Sequence, residues 1–123
     1  MKKNNLVDKW GEKTLSHGWA ALPILILEKQ HHLRLSPTSL NILLHLISLW
    51  WEKDNHPYPS QIAIAKKIGL SPRTVQREIA KMRKSGVLKI TQTKINDSKH
   101  LGRNIYDLSP LVSKLEKLAE EEN

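Results

Sequence analysis

The tetrapeptide from Gly69 to Pro72 constrains the fold more than any other part of the chain, because it joins two short helical patterns through a turn of defined chemistry. Glycine adopts the left-handed conformation that ends many helices, so Gly69 is expected to end the helix that begins near Ser60. Ser71 can cap the next helix, and Pro72 suits its first turn, where no amide hydrogen is needed. That second helix is expected to end at Gly86. The pattern predicts two helices that meet at a steep angle.

The second of these helices has one apolar face and one basic face. At about 100° per residue, Val75, Ile79 and Met82 fall on one side. The other side carries Arg73, Arg77, Ala80, Lys81 and Lys84, with Gln76 and Arg83 at its edges. A solvated surface helix can have the same composition. The arrangement also suits a helix in the major groove of DNA, where arginine reads guanine, glutamine reads adenine and lysine contacts phosphate.

Beyond Gly86 the hydrophobic period changes from helical to alternating, which predicts strands over residues 87–93 and 103–108. The segment between them contains the Asn, Asp, Ser and Gly that are typical of a hairpin tip. Four cations of this region are expected to contact the sugar-phosphate backbone, namely Lys89, Lys94, Lys99 and Arg103. A plain hairpin with no DNA contact is the alternative.

Together these segments resemble the winged helix-turn-helix domains of bacterial and phage regulators and of phage and plasmid replication initiators. The resemblance covers residues 35–108 and is carried by Leu35-Ser36-Pro37, Tyr58-Pro59-Ser60, the run from Ile68 to Val75, and the run from Met82 to Leu88. In such domains the helix after the turn reads the DNA. The resemblance therefore implies that Arg73, Thr74, Gln76 and Arg77 lie on the reading helix, and it implies DNA binding more firmly than the process that the binding serves.

The positive charge is concentrated where the resemblance places DNA. The chain carries 20 Lys and Arg against 12 Asp and Glu, a net charge of +8. Counted from the sequence, residues 71–86 hold five basic and one acidic residue, residues 87–106 hold four and one, and residues 107–123 hold two and five. A polyanion is the expected partner, and its binding should weaken steeply with salt. A membrane surface is less well matched, because the basic helix has a buried opposite face.

Three further helices are expected outside the turn. Ser36-Pro37 opens a helix that should run to about Lys53 and is apolar nearly all round, so that it is covered on more than one face. A helix from Pro23 to about Leu33 is favoured after a short extended lead-in. Residues 109–123 form an amphipathic helix whose stripe is Leu108, Leu111, Leu115 and Leu118. The stripe can dock on its own domain or pair with a second copy.

The organisation predicted from these elements is a mainly α domain with a small β-hairpin. Residues 1–18 are expected to be a flexible basic segment, residues 19–108 the winged helix-turn-helix domain, and residues 109–123 the C-terminal helix. A homodimer through that helix and the helix over residues 37–53 is a possible assembly. A single core and a docked C-terminal helix in a monomer is the alternative.

Several classes of function find no support in the sequence. There is no cysteine, signal-peptide pattern or membrane-spanning apolar run, so we expect a cytoplasmic protein that joins the nucleoid when bound, with no membrane partner. The six histidines are scattered, and no metal or other cofactor is expected. No phosphate loop, metal triad or nucleophile elbow indicates an enzyme.

We therefore predict sequence-specific binding of double-stranded DNA, most readily by a small transcriptional regulator. A phage- or plasmid-type replication initiator and a winged helix that docks proteins are the alternatives. Base edges should meet Arg73, Gln76 and Arg77. The expected backbone contacts are Ser60, Gln61, Ser71, Thr74, Lys81, Lys84, Lys89, Lys94, Lys99 and Arg103.

Overall fold

The computed structural model describes residues 3–122. This part of the chain contains seven helices and one two-stranded antiparallel sheet. The helices are α1 (Lys3–Trp10), α2 (Glu12–Leu15), α3 (Ile24–Glu28), α4 (Pro37–Ser48), α5 (Gln61–Ile68), α6 (Pro72–Lys84) and α7 (Ser109–Glu122). The strands β1 (Lys89–Gln92) and β2 (Asn104–Asp107) lie between α6 and α7. The predicted class, mainly α with a small hairpin, is confirmed.

The apolar core lies between α4, α5 and α6. Helix α4 packs against both other helices and buries Ile42, Leu43 and Leu46. Burying an aliphatic side chain of this size contributes about 1.5 to 3 kcal/mol before the entropy of ordering it is subtracted. The core continues into the hairpin through Val87, Leu88 and Tyr106, and then into α7. One continuous core therefore holds the helices and the hairpin together.

Helix α4 begins as predicted but ends at Ser48, about five residues before the predicted end near Lys53. The Ser36 hydroxyl caps its start by accepting from the Ser39 amide at 3.0 Å. At the other end, the Ser48 hydroxyl donates to the His45 carbonyl at 2.7 Å, and the chain then turns. The following residues form a tight turn in which the Asn55 amide donates to the Glu52 carbonyl at 3.0 Å. The apolar residues after Ser48, Leu49 to Trp51, therefore connect the helix to this turn and do not extend the helix.

The N-terminal part differs from the prediction in two places. Helix α3 ends at Glu28, short of the predicted end near Leu33, because the chain continues in turns to Arg34, whose φ is +59°. This reversal lets both Leu33 and Leu35 enter the core. The segment expected to be flexible, residues 1–18, forms α1 and α2 where it is described, and no described side chain in it belongs to the buried core. Its flexibility stays a prediction.

The C-terminal helix docks on its own domain. Leu108, Leu111 and Leu118 of the predicted stripe are buried, and Leu115 packs against the same core at its edge. Of the two alternatives for this stripe, the described structure has the intramolecular one. Pairing with a second copy would have to use the outer side of α7, where Val112 is exposed.

Candidate nucleic-acid interface

The turn between α5 and α6 has the geometry that the sequence predicts. Gly69 adopts the left-handed conformation with φ of +81°, and the amides of Gly69 and Leu70 both donate to the Ala65 carbonyl, at 2.8 and 3.0 Å. The Ser71 hydroxyl accepts from the Thr74 amide at 3.1 Å and so caps α6. These short-range bonds fix where α6 leaves the core.

Helix α6 separates core from solvent along its whole length. Val75, Ile79 and Met82 are buried. On the other side the exposed residues are Arg73, Gln76, Arg77, Ala80, Arg83 and Lys84. Among the described residues, none of the four cations in this set forms an ion pair with a carboxylate. Their charge is therefore available to an anionic partner.

Lys81 differs from these cations because it is paired with Glu78. The Glu78 side chain is on the buried side of α6, with 9% of the residue exposed. Its Oε2 accepts no hydrogen bond from a described residue but lies 3.3 Å from Lys81 Nζ, so this contact is an ion pair without hydrogen-bond geometry. Its Oε1 lies 3.5 Å from the Ser36 hydroxyl at the start of α4. Lys81 thus neutralises a carboxylate at the joint between α4 and α6.

A groove of about 600 Å³ lies between α6 and the hairpin. It is lined by Gln61, Gln76, Ile79, Ala80, Arg83, Lys84, Ile90, Gln92 and Asn104. Gln92 and Asn104 were not among the predicted site residues. The signal that could have found them is alternation, since Gln92 follows the half-buried Ile90 by two residues on β1 and must share its face. Asn104 is the partner of Gln92 in the β1–β2 register.

None of the four cations predicted to contact DNA from the hairpin lines the groove beside α6. Lys89 alternates with Ile90, so it lies on the opposite face of β1 and is paired in register with Asp107. Lys99 Nζ donates to Asn55 Oδ1 at 3.1 Å. Arg103 lies beside the segment over residues 55–59. Lys94 is exposed in the loop. Lys89, Lys99 and Arg103 therefore lie away from the groove beside α6, whereas Lys94 is exposed to solvent.

The hairpin loop is folded back and ordered by Asp97. Its Oδ1 accepts from the amides of Lys99 and His100 at 2.9 and 2.8 Å. The hydrogen bond from the His100 amide is the main cause that lowers the pKa of Asp97; desolvation opposes it, and the Lys99 amide and His100 side chain add to it. The His100 ring also packs edge-on against Tyr58, with centroids 4.6 Å apart. The loop is thus attached to the segment before α5.

His56 fixes the base of the hairpin. Its Nδ1 accepts from the Leu108 amide at 3.3 Å, so its Nε2 carries the proton that faces Asp107 Oδ1 at 3.2 Å. Burial acts to raise the pKa of Asp107, but the hydrogen bonds from Ser109 and the electrostatic effect of the nearby His56 and Lys89 side chains lower it overall. The His56 ring stacks on Trp50 at 5.2 Å. This contact joins the end of α4 to β2.

The hydroxyl and amide groups predicted to contact phosphate lie at the starts of the two helices. The Ser60 hydroxyl accepts from the Ala63 amide at 3.1 Å, and the Ser71 hydroxyl lies 2.9 Å from that of Thr74. Both serines are therefore engaged in capping. Gln61 lines the groove, and its side chain has no hydrogen bond to a described residue.

The described residues hold neither a metal-ligand cluster nor a helix suited to a bilayer. Within residues 3–122 no group of three or more His, Asp or Glu side chains is placed to hold a metal ion. None of the helices described there has the length and apolar character needed to cross a bilayer.

Comparison with known proteins agrees with this geometry. Residues 33–88 match the family model of a helix-turn-helix domain, a stretch that contains α4, α5 and α6. The fold is similar to the N-terminal domain of the DnaD protein from Geobacillus kaustophilus, with 21% identity, a TM-score of 0.64, and coverage of 99% of this chain and 94% of that chain. A looser similarity links it to MarR, with 20% identity, a TM-score of 0.45, and coverage of 98% and 80%. No curated protein sequence matches the chain.

The resemblance inferred from the sequence is therefore confirmed at the level of the fold. Residues 33–88 carry a helix-turn-helix fold, and the hairpin after α6 gives it the winged form.

Proposed function

We propose that this domain binds double-stranded DNA with sequence preference and acts as a small transcriptional regulator. The observation that carries the proposal is the exposed face of α6, where four unpaired cations and Gln76 follow a fixed turn and lie opposite a buried apolar face. A helix of this kind can enter a major groove with its side chains directed at base edges.

The exposed face of α6 divides into two roles. Arg73, Gln76 and Arg77, in the first half of the helix, contact base edges, because the first turns of a reading helix enter the groove most deeply. Lys84 and the start of α5 at Ser60 and Gln61 contact phosphates. Ser71 and Thr74 add backbone contacts at the start of α6, and Lys81 adds one from its exposed ammonium group.

On the hairpin, we propose Lys94 as a phosphate contact, because it is exposed and follows Gln92 by two residues. We do not extend this role to Lys89, Lys99 and Arg103. Lys89 lies on the other face of β1, and the other two are beside residues 55–59.

The test is a selection from a randomised duplex pool, with sequencing of the bound fraction and anisotropy titrations at two salt concentrations. The wild-type chain is expected to enrich a motif that survives the higher salt. Arg77→Ala should relax the preference at one base pair and cost about 1 to 3 kcal/mol on the best site. Lys117→Ala on α7 is the charge-matched control and should retain the motif. Equal losses for Arg77→Ala on the enriched and on random duplexes would contradict base reading.

The position of the enriched sequence in the genome distinguishes transcriptional regulation from replication initiation. A site that overlaps promoters indicates a transcriptional regulator, which is our proposal. A cluster of sites at a replication origin indicates an initiator. A winged helix that docks proteins needs no unpaired basic face. If the wild-type chain binds no duplex at all, this result would favour protein docking over DNA binding.

We propose that a second copy of this chain packs on the apolar surface between the C-terminal end of α4 and the first turns of α7. Trp51 is 70% exposed there, next to Val112, and both line a groove that also contains Lys53 and Glu116. A two-fold axis can place each Lys53 opposite the Glu116 of the other copy, as an isologous interface requires. This proposal is narrower than the dimer predicted from the sequence, because the stripe of α7 is buried in its own domain.

Analytical ultracentrifugation tests the dimer. Val112→Lys should shift the mass towards the monomer, whereas Ile95→Lys, at another exposed apolar position (88%), should leave the dimer intact. A wild-type chain that stays monomeric at high micromolar concentration would contradict the proposal.

A further inference from the structure

We infer that Gln92 and Asn104 of the hairpin read base edges next to those read by α6, so that the hairpin contributes to specificity through the face of its strands. The inference rests on the proposed function, because it requires α6 to lie in a DNA groove. It adds to that function two specificity-determining residues that belong to neither helix of the turn.

One face of the hairpin sheet is turned towards the core and α6. In the register of the sheet, Ile90 is opposite Tyr106 and Gln92 is opposite Asn104. Ile90 packs against the core and Tyr106 is buried, so this face of the sheet is directed inwards at its base. Alternation keeps Gln92 and Asn104 on the same face, and both line the groove beside α6.

The loop of the hairpin does not face α6. Its residues are attached elsewhere, since Lys99 bonds to Asn55 and His100 packs on Tyr58. Gly102 also closes tightly on Ile95, where an added Cβ would lie 3.2 Å from the Ile95 Cα. Because the loop is held against the segment before α5, the part of the hairpin turned towards α6 is the pair of strand ends.

Four side chains of the groove are carboxamides, and none of them forms a side-chain hydrogen bond with a described residue. They are Gln61, Gln76, Gln92 and Asn104. A carboxamide offers both donors and an acceptor, which matches the edge of adenine, whereas a phosphate only accepts. The cations of this groove, Arg83 and Lys84, both belong to α6, so the hairpin side is neutral.

Residues directly opposite in an antiparallel pair have Cβ atoms about 4.5 to 5.5 Å apart. Gln92 and Asn104 therefore present two adjacent carboxamides at the end of the sheet, across the groove from Gln76. Two amides at this spacing can meet neighbouring base pairs of one groove while Arg83 and Lys84 hold the adjacent phosphates.

The test applies the duplex selection to Gln92→Ala and Asn104→Ala, with Thr91→Ala as the matched control on the opposite face of β1. Each groove variant is expected to relax the preference at one or two positions flanking the α6 motif. Affinity for the best site should fall roughly five- to hundredfold per residue, with affinity for random duplexes unchanged. Thr91→Ala should retain the wild-type motif. Because Gln92 is exposed, its truncation should leave the fold intact, and thermal melts of all three variants check this.

Two outcomes would overturn the inference. An unchanged motif for both groove variants would mean that the hairpin does not read bases, and an equal loss on every sequence would mean that the carboxamides only contact phosphates. Arg77→Ala in the same selection separates these failures from that of the proposed function. If Arg77→Ala relaxes the motif while the groove variants do not, only the hairpin inference fails; if the wild-type chain enriches nothing, both fail.

Discussion

Replacing Gly69 with alanine tests how the turn positions α6. Its φ of +81° is in the left-handed region, which costs an L-residue about 1 to 2 kcal/mol. A Cβ added at Gly69 would meet no atom within 4 Å, so no steric clash adds to this cost. Alanine also lowers the conformational entropy of the unfolded chain, which stabilises the folded state by about 0.4 to 1 kcal/mol and offsets part of this cost. The net expectation is a loss of about 1 kcal/mol in the free energy of unfolding.

The assay for Gly69→Ala is urea unfolding followed by tryptophan fluorescence. At an unchanged m-value the midpoint should fall, and the melting temperature should drop by about 4 °C for a domain of this size. Gly69→Asn should lose less than Gly69→Ala, because asparagine tolerates the left-handed region. Affinity for DNA should stay within about twofold of wild type, because the two bonds to the Ala65 carbonyl use backbone atoms alone and the Ser71 cap is unchanged.

A second glycine provides the control. Gly18 has φ of +100° and equally open surroundings, but it lies in the segment that adds no described side chain to the core. Strain at Gly18→Ala can relax locally, so global stability should not change. A Gly69→Ala chain as stable as wild type, or an asparagine variant no better than the alanine one, would refute the backbone argument.

Three other variants probe the docking of α7, the base of the hairpin and the contact with phosphate. Leu111→Ala should cost about 2 to 5 kcal/mol in urea unfolding because the side chain is buried, and Lys117→Ala on the exposed side of α7 should cost less than about 0.5 kcal/mol; equal costs would mean that α7 is not docked as described. Because the pKa of Asp107 is lowered in the folded protein, the ionised carboxylate stabilises the fold at pH values above the ordinary pKa of aspartate. This stabilisation is lost as the pH falls through the pKa of the folded state. Asp107→Asn should therefore lower the urea midpoint at pH 7, with the difference from wild type narrowing below about pH 4, and a difference that is constant with pH would contradict this. Lys84→Ala should weaken binding to all duplexes alike and reduce the slope of log affinity against log salt by about 1, whereas an unchanged slope would exclude a phosphate contact.

The turn and α6 could be predicted from the sequence because their determinants are local. Gly69, Ser71 and Pro72 each act on the backbone within four residues, and the buried and exposed faces of α6 follow from helical periodicity alone. The same capping logic placed the start of α4 at Ser36 and the start of α5 at Ser60. At these positions glycine, serine and proline each favour one backbone conformation or one capping bond, so the helix ends can be placed from the sequence.

The end of α4 and the faces of the hairpin depend on contacts that are remote in sequence. Trp50 continues the apolar pattern of α4, but its ring stacks on His56 beyond the helix end, and its Nε1 donates to the Lys53 carbonyl. The direction of Lys99 is fixed by Asn55, which is 44 residues earlier in the chain. A count of charges over a segment cannot distinguish such a cation from one that points to solvent.

Glu78 shows how the reading helix is oriented relative to the core. It is the sole acidic residue of α6, and the periodicity puts it beside Val75 and Ile79 on the buried side. There its carboxylate meets the Ser36 hydroxyl, which also caps α4, and the negative charge lies close to the positive end of that helix. The ion pair with Lys81 contributes little net stability, because the Lys81 ammonium group is largely exposed to solvent while the carboxylate has lost much of its hydration. The contact adds a polar link between α6 and α4 to the apolar packing of the two helices. The residue that departs from the basic pattern of α6 is thus the one that joins it to the core helix.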